Sequence, residues 1–372
     1  MTKQDLSNYA TECFFGEPNG GLNFEFYRGV IMARAQDVIA AGNYQDDPSF
    51  ENMVALFAKA DPQNLATTCI GNGLSGEWFN KIQIGRDVTV GNNLFAMGHG
   101  GIEIGDRARI GNDVMMITVG HGTHASQRHL NRYGKIKIED DVIIEDGVMI
   151  VHPANSRTLV IPAGSVVRKG SLIMRAEDVQ DPSLSPGILA RNDLLESSVG
   201  ILKITDVDDL REQLGVEEIV FMPPVYVNGA ENAQCGKSVL FNNSAAVVAQ
   251  GDIIIGDRTL LAPKACVYAA KGSSIDIGGS VWIGAGVTIE AKQGQRLHIG
   301  EGSLIAAGAH VTEDIPPHSL VVGHGTVKRG ISEQDIRDVP SEWMDQDYMQ
   351  EQISRSMTVI NAAQQGQVRN FE

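Results

Sequence analysis

The chain has 372 residues, 41 of them glycine, with 42% hydrophobic content and a formal net charge of −16. That apolar content excludes a disordered chain, and so much glycine, against an average usage of about 7%, argues against an ordinary helical protein. Acidic residues outnumber basic ones 46 to 30 and no basic run occurs, the wrong sign for a protein that neutralises nucleic-acid phosphates.

The first residues, MTKQDLSNYATECFF, carry no apolar core of signal-peptide length, and no apolar stretch of the chain approaches the length of a membrane span. Neither a leader nor a membrane span is therefore expected. Cys13, Cys69, Cys235 and Cys266 lie far apart with no CxxC. They read as reduced thiols of a cytoplasmic protein, not as a disulfide framework or zinc site. Residues 1–70 form a helical N-terminal segment, with helical patterns over 23–44 and 48–60 and DDPS at 46–49 as break and cap.

A different pattern occupies residues 71–176. The chain reads IQIGRDVTVGNNLF, then IEIGDRARIGNDVM, then IKIEDDVIIEDGVMI. An aliphatic residue recurs every sixth position, at Ile84 and Val90, Ile104 and Ile110, then Ile138, Ile144 and Ile150. Period six fits neither a 3.6-residue helix nor a long alternating strand. It fits a triangular coil with one inward aliphatic residue on each of three short faces, and with Gly, Asn or Asp at corners needing unusual backbone angles. Such a coil cannot bury its own apolar edge, so stacking supplies the core. The coil starts Ile84, Ile104 and Ile138 are unevenly spaced, and the extra residues fall in VGHGTHASQRHLNRYGK, 119–135. A long polar loop extruded from a regular solenoid is the place to look for chemistry. GNGLSG at 71–76 satisfies GxGxxG but lacks a surrounding strand–turn–helix unit, so it is discounted as a nucleotide site.

Residues 177–224 are a linker: EDVQDPSLSPG is turn-rich, DVDDLREQLG a short acidic helix, and MPPV restarts extended structure. The hexapeptide period returns over 225–331, with coil starts at Ile255, Ile277 and Ile299 and no extruded loop. The tail, 332–372, is helical over 332–363, where Trp343, Met344, Tyr348 and Met349 are expected to dock on the solenoid. The fold class is thus mainly β: two solenoid blocks with helical N-terminal, linker and C-terminal segments.

The coils, the TVGHGTH and YGKIKIEDDV stretches, and the closing SVWIGAGVTI and GSLIAAGAHVTEDIPPHSLVVG resemble the hexapeptide-repeat acyltransferases, and within them the maltose and galactoside O-acetyltransferase group. The resemblance covers 82–176 and 225–331, as a duplicated solenoid, and weakly 34–57. It implies a left-handed parallel β-helix, acetyl-CoA as co-substrate, a sugar or glycan hydroxyl as acceptor, and a homotrimer with sites between neighbouring solenoids. No metal, nucleic acid or membrane is implied. Carried over by position, the catalytic histidine falls on His121, following Thr118, and the substrate-contacting asparagine on Asn93; the two are expected to meet across an interface. In the second block the matching positions are Ser244, beside Asn243, and the region of Ala270 and Lys271, so that block is expected to be inactive. Donor contacts fall on Ala163, Arg168 and Lys169. The second block's Ala285, Ala307 and Thr312 are followed by Glu313, which repels phosphate.

These residue types suit acetyl transfer. A neutral imidazole, with pKa near ~6.5, can take the proton of a poorly nucleophilic hydroxyl, and amide donors can stabilise the oxyanion by roughly 3–4 kcal/mol each. Two other readings compete. The His-x4-His spacing of His124 and His129, with His99 upstream, matches the zinc ligands of γ-class carbonic anhydrases, although here two of the three lie in a polar loop. A duplicated solenoid can also be a non-catalytic scaffold, against which the intact loop of the first block argues. His99 itself reads as a structural or interfacial corner residue.

Overall fold

The computed structural model describes residues 41 and 43–335 apart from 126–127, 129–130, 153–157, 181–182, 198–212, 215–218 and 222–224. Of the helices expected over 206–215 and 332–363 only residues 213–214 and 332–335 are described, and most of 23–44 lies outside the described residues. The N-terminal segment contributes α1 (Phe50–Leu56), capped by the Ser49 hydroxyl, and α2 (Pro62–Leu65), capped by Asp61. Both caps accept from early backbone N–H groups that have no intrahelical partner.

From Cys69 the chain winds into a three-faced solenoid of parallel strands. Its outer face stacks Cys69–Ile70, Thr89–Val90, Arg109–Ile110, Ile143–Ile144 and Val166–Val167. Its seam face carries Ser75–Glu77, Phe95–Met97, Met115–Ile117, Met149–Val151 and Ser171–Ile173, closed by antiparallel Ser183–Leu184. Its flank face carries Ile82–Ile84, Ile102–Ile104, Lys135–Ile138 and Thr158–Ile161. Residues of the six-residue period stack in register: Ile84, Ile104, Ile138 and Ile161 lie directly above one another and are at most 4% exposed. Each such side chain contributes roughly 1.5–3 kcal/mol of burial.

The corners explain the Asn and Asp usage. Asn93, Asp113, Asp87, Arg107 and Asp141 all have φ between 57° and 60°, the left-handed region that Asn and Asp tolerate best. Their neighbours form a ladder in which a side-chain oxygen accepts from the corner N–H one coil back: Asn92 from Asn72, Asn112 from Asn92, Asp146 from Asn112. The rung from Asn92 to Asn112 spans 20 residues and the next, to Asp146, spans 34. The solenoid therefore continues unbroken beneath the insertion.

A second solenoid begins at Ile219. Its seam face carries Ile219–Phe221, Val239–Phe241, Leu260–Leu261, Trp282–Ile283, Leu304–Ile305 and Ser319–Val322, edged by antiparallel Thr326–Gly330. A further face, from Tyr226–Asn228 to His310–Val311, and a flank face, from Ala233–Cys235 to Arg296–Ile299, complete it. Each solenoid has its own aliphatic core, and a third apolar cluster joins them. In it Phe95, Met97, Met115 and Met149 of the first seam face pack with Leu240, Leu260 and Ala262 of the second.

The linker supplies α3 (Pro186–Ser197), a helix that begins at the end of the turn-rich EDVQDPSLSPG stretch and that the sequence does not predict. It seats on the second solenoid through Gly187, whose N–H donates to the Gly308 carbonyl and whose carbonyl accepts from the Thr288 hydroxyl. A Cβ at Gly187 would lie 2.3 Å from the Ala309 carbonyl oxygen and 2.4 Å from that of Gly286. Only glycine permits this approach.

Candidate active site

The insertion is a β-hairpin at the corner between the seam and flank faces of the first solenoid. Val119–His121 pairs antiparallel with Asn131–Tyr133, His121 opposite Asn131. Its base is fixed by Thr118, fully buried, whose hydroxyl donates to the Met97 carbonyl at 2.7 Å and accepts from the Gly100 N–H at 2.9 Å. Thr118 thus anchors the strand that delivers His121, and the Arg132 guanidinium donates to the His121 carbonyl.

The hairpin leans across the seam. The half-buried His121 ring lies 4.4 Å, centroid to centroid, from the indole of Trp282 on the second solenoid, tilted by 48°. Arg128, 6% exposed, donates to the carbonyls of Ser280 at 2.5 Å and Gly302 at 2.7 Å, both on the second solenoid. Burial pushes its pKa down to about 10. His124 stands 3.9 Å from the Glu333 carboxylate. The site is therefore composite: the imidazole comes from one solenoid, while an aromatic wall and the hairpin's anchor come from the other.

The other expected residues lie elsewhere. Asn93 occupies the corner between outer and seam faces, the opposite edge of the seam face from His121, so the two do not meet within one solenoid. Its amide donates to Asp113 at 3.0 Å, and its carbonyl accepts from Lys264 of the second solenoid at 3.4 Å. Lys264 is 9% exposed, and burial, reinforced by the nearby Arg191 and partly offset by Asp113, pushes its pKa down to about 8. Arg191, on α3, donates to the Ser244 carbonyl at 3.1 Å, and burial lowers its pKa too. Of the proposed donor contacts, Ala163 sits at the flank–outer corner, where its N–H donates to Glu139, and it borders a groove of about 620 Å³ that also contains Asp106 and Asp140. Arg168 and Lys169 sit at the outer–seam corner, where Arg168 lies 3.6 Å from Glu145 and the Lys169 N–H donates to Glu145. The three thus occupy two edges, and the hairpin a third.

His99 is a buried corner residue. Its ring lies 3.2 Å from the Glu77 carboxylate, near Trp78 and stacked with Tyr133 at 6.3 Å. His129 lies outside the described residues. Among the described residues, no group of three His, Cys, Asp or Glu side chains is placed to hold a metal ion. In the second solenoid the corner matching the hairpin is a short turn through Ala270 and Lys271 to Ser274. Sequence reading passed over Trp282, Arg128 and Lys264. The signal for Trp282 was there, since it is an aromatic residue at an outward position of a hexapeptide coil.

Stacked triangular coils of period six define the hexapeptide-repeat class. A Saccharomyces cerevisiae protein of the acetyltransferase class is 32% identical over 144 residues, 34% of this chain and 71% of that protein. The galactoside O-acetyltransferase of Escherichia coli is 33% identical over 130 residues, 31% of this chain and 61% of that enzyme. The chain thus spans somewhat under two thirds of the Escherichia coli enzyme's length. A hexapeptide-repeat acetyltransferase structure from Vibrio cholerae aligns with 39% of this chain and 93% of its own at 26% identity, with a TM-score of 0.32. No family model matches the chain. The chain belongs to the hexapeptide-repeat acetyltransferases. Among the described residues, no helix is long and apolar enough to cross a membrane.

Proposed function

We propose that the chain transfers the acetyl group of acetyl-CoA to a hydroxyl of a sugar or glycan, with His121 as general base at the seam between the solenoids. The observation that carries this reading is the placement of His121, half-buried on an anchored hairpin and walled on one side by Trp282. The likeness to the galactoside O-acetyltransferase of Escherichia coli supports the acceptor class.

Acetyl-CoA supplies the thioester carbonyl that the acceptor hydroxyl attacks. The adjacent cations Arg168 and Lys169 fit its phosphates by charge, whereas the carboxylates beside Ala163 do not. His121 in its neutral form accepts the hydroxyl proton and holds it for return to the departing thiolate. Trp282 limits the rotation of the imidazole and keeps water from one side of it. Asn93 belongs to this reading as a substrate contact supplied from another copy, in keeping with a homotrimer, which sedimentation would test.

The deciding experiment is thiol release from acetyl-CoA by the purified chain, against a panel of sugars, amino sugars and oligosaccharides. Hydroxyl-dependent release supports the reading. Release only with amino acceptors overturns the O-acetyl assignment, and no release with any acceptor overturns the reading as a whole.

A further inference from the structure

The hairpin that carries His121 is a two-stranded ribbon with three residues in each strand, and such ribbons are marginally stable unless something else holds them. Its tip would also lose conformational freedom on being fixed. What fixes it lies on the other solenoid. The guanidinium of Arg128 is buried and bridges the carbonyls of Ser280 and Gly302, corner residues of successive coils joined by the Gly302 N–H donating to the Gly279 carbonyl. A weaker contact at 3.5 Å returns to Thr123 in the hairpin loop. Among the described residues, burial alone acts on its charge. Burying a cation on carbonyls alone is costly, which points to a positional role. The planar fork of arginine can reach two carbonyls at once, and the ammonium of lysine cannot match it.

We propose that Arg128 is the positioning residue of the site: it latches the hairpin of the first solenoid onto the second and so holds His121 against Trp282. Its effect on turnover rests on the acetyl-transfer reading, but the contact it maintains has its own readout. A protonated imidazole beside an indole quenches its fluorescence, so the full-length protein should show a fluorescence step on acidification that is absent in His121→Asn.

In Arg128→Met that step should lose at least about half its amplitude, and kcat for acetyl transfer should fall about 10- to 100-fold with KM for acetyl-CoA within about twofold. Arg128→Lys should fall between Arg128→Met and wild type, and it gives the same readout should the methionine variant fail to fold. Val321→Ala, which opens the second core, should lower the melting temperature and leave the step in place. The latch is overturned if wild type shows no His121-dependent step, or if Arg128→Met keeps the full step. Loss of the step in Arg128→Met, alongside a wild type that transfers acetyl to no acceptor, supports the latch and overturns the acetyl-transfer reading instead.

Discussion

His121 and Lys264 lie near opposite edges of the same seam, and both are single ionisable side chains whose surroundings set their task. For His121 the expected outcome is that replacement by Ala lowers turnover by about 10²- to 10⁴-fold with an unchanged circular dichroism spectrum and melting curve. Turnover close to wild type would remove it from the mechanism. For Lys264 the prediction concerns stability. Burial lowers its pKa to about 8, so between about pH 8 and 10.5 the unfolded chain holds a proton that the folded chain has lost. Stability should therefore rise with pH across that window, and the cost of the buried charge is fully present below it. Lys264→Met should raise stability at pH 7 by about 1–3 kcal/mol and flatten the alkaline rise, as followed by urea unfolding at several pH values. His121 was legible in the sequence because its loop broke an otherwise regular period. Asn93 was harder to read, since a left-handed corner asks for asparagine whether or not a substrate is near. Lys264 carries no local signal, because its burial comes from a distant part of the chain.

At the level of elements, the corner ladder lets a coil gain a hairpin without losing register. The rung from Asn112 to Asp146 is as short, at 2.7 Å, as those of uninterrupted coils. The repeat, the position of the extruded loop and the cap of α1 could all be read from residue types, since local rules govern them. The helix α3 could not. Its sequence, PGILARNDLLES, has no clean apolar stripe, and it is seated by tertiary contacts, the tight approach at Gly187 and the Arg191 bond to Ser244 among them. Gly187→Ala should displace it, lowering the melting temperature by several degrees for a cost of about 1–3 kcal/mol and exposing the linker to faster proteolysis. An unchanged cleavage rate would show that α3 accommodates the methyl group.

Taken whole, the molecule is two prisms joined along one face of each. That pairing was partly written in the sequence. The seam strands FAM, MMI and MIV are buried at every position, whereas flank strands such as IQI and KIKI alternate buried with exposed or half-buried positions. Continuous apolar triplets mark a strand covered on both sides, but nothing in the period says which face of the other solenoid does the covering, so Trp282 could not be assigned to His121. The pairing also bears on concentration. A site shared between separate chains empties as those chains dissociate on dilution. Here the imidazole and the indole belong to one polypeptide, and each meets the other at an effective concentration on the order of millimolar, whatever the amount of protein in solution. The His121-dependent fluorescence step should accordingly keep its amplitude from micromolar down to nanomolar protein, whereas the contact proposed for Asn93, which needs another copy, should be lost as the copies separate and turnover should fall with it. A step that shrinks on dilution would mean that a second chain holds His121 against Trp282.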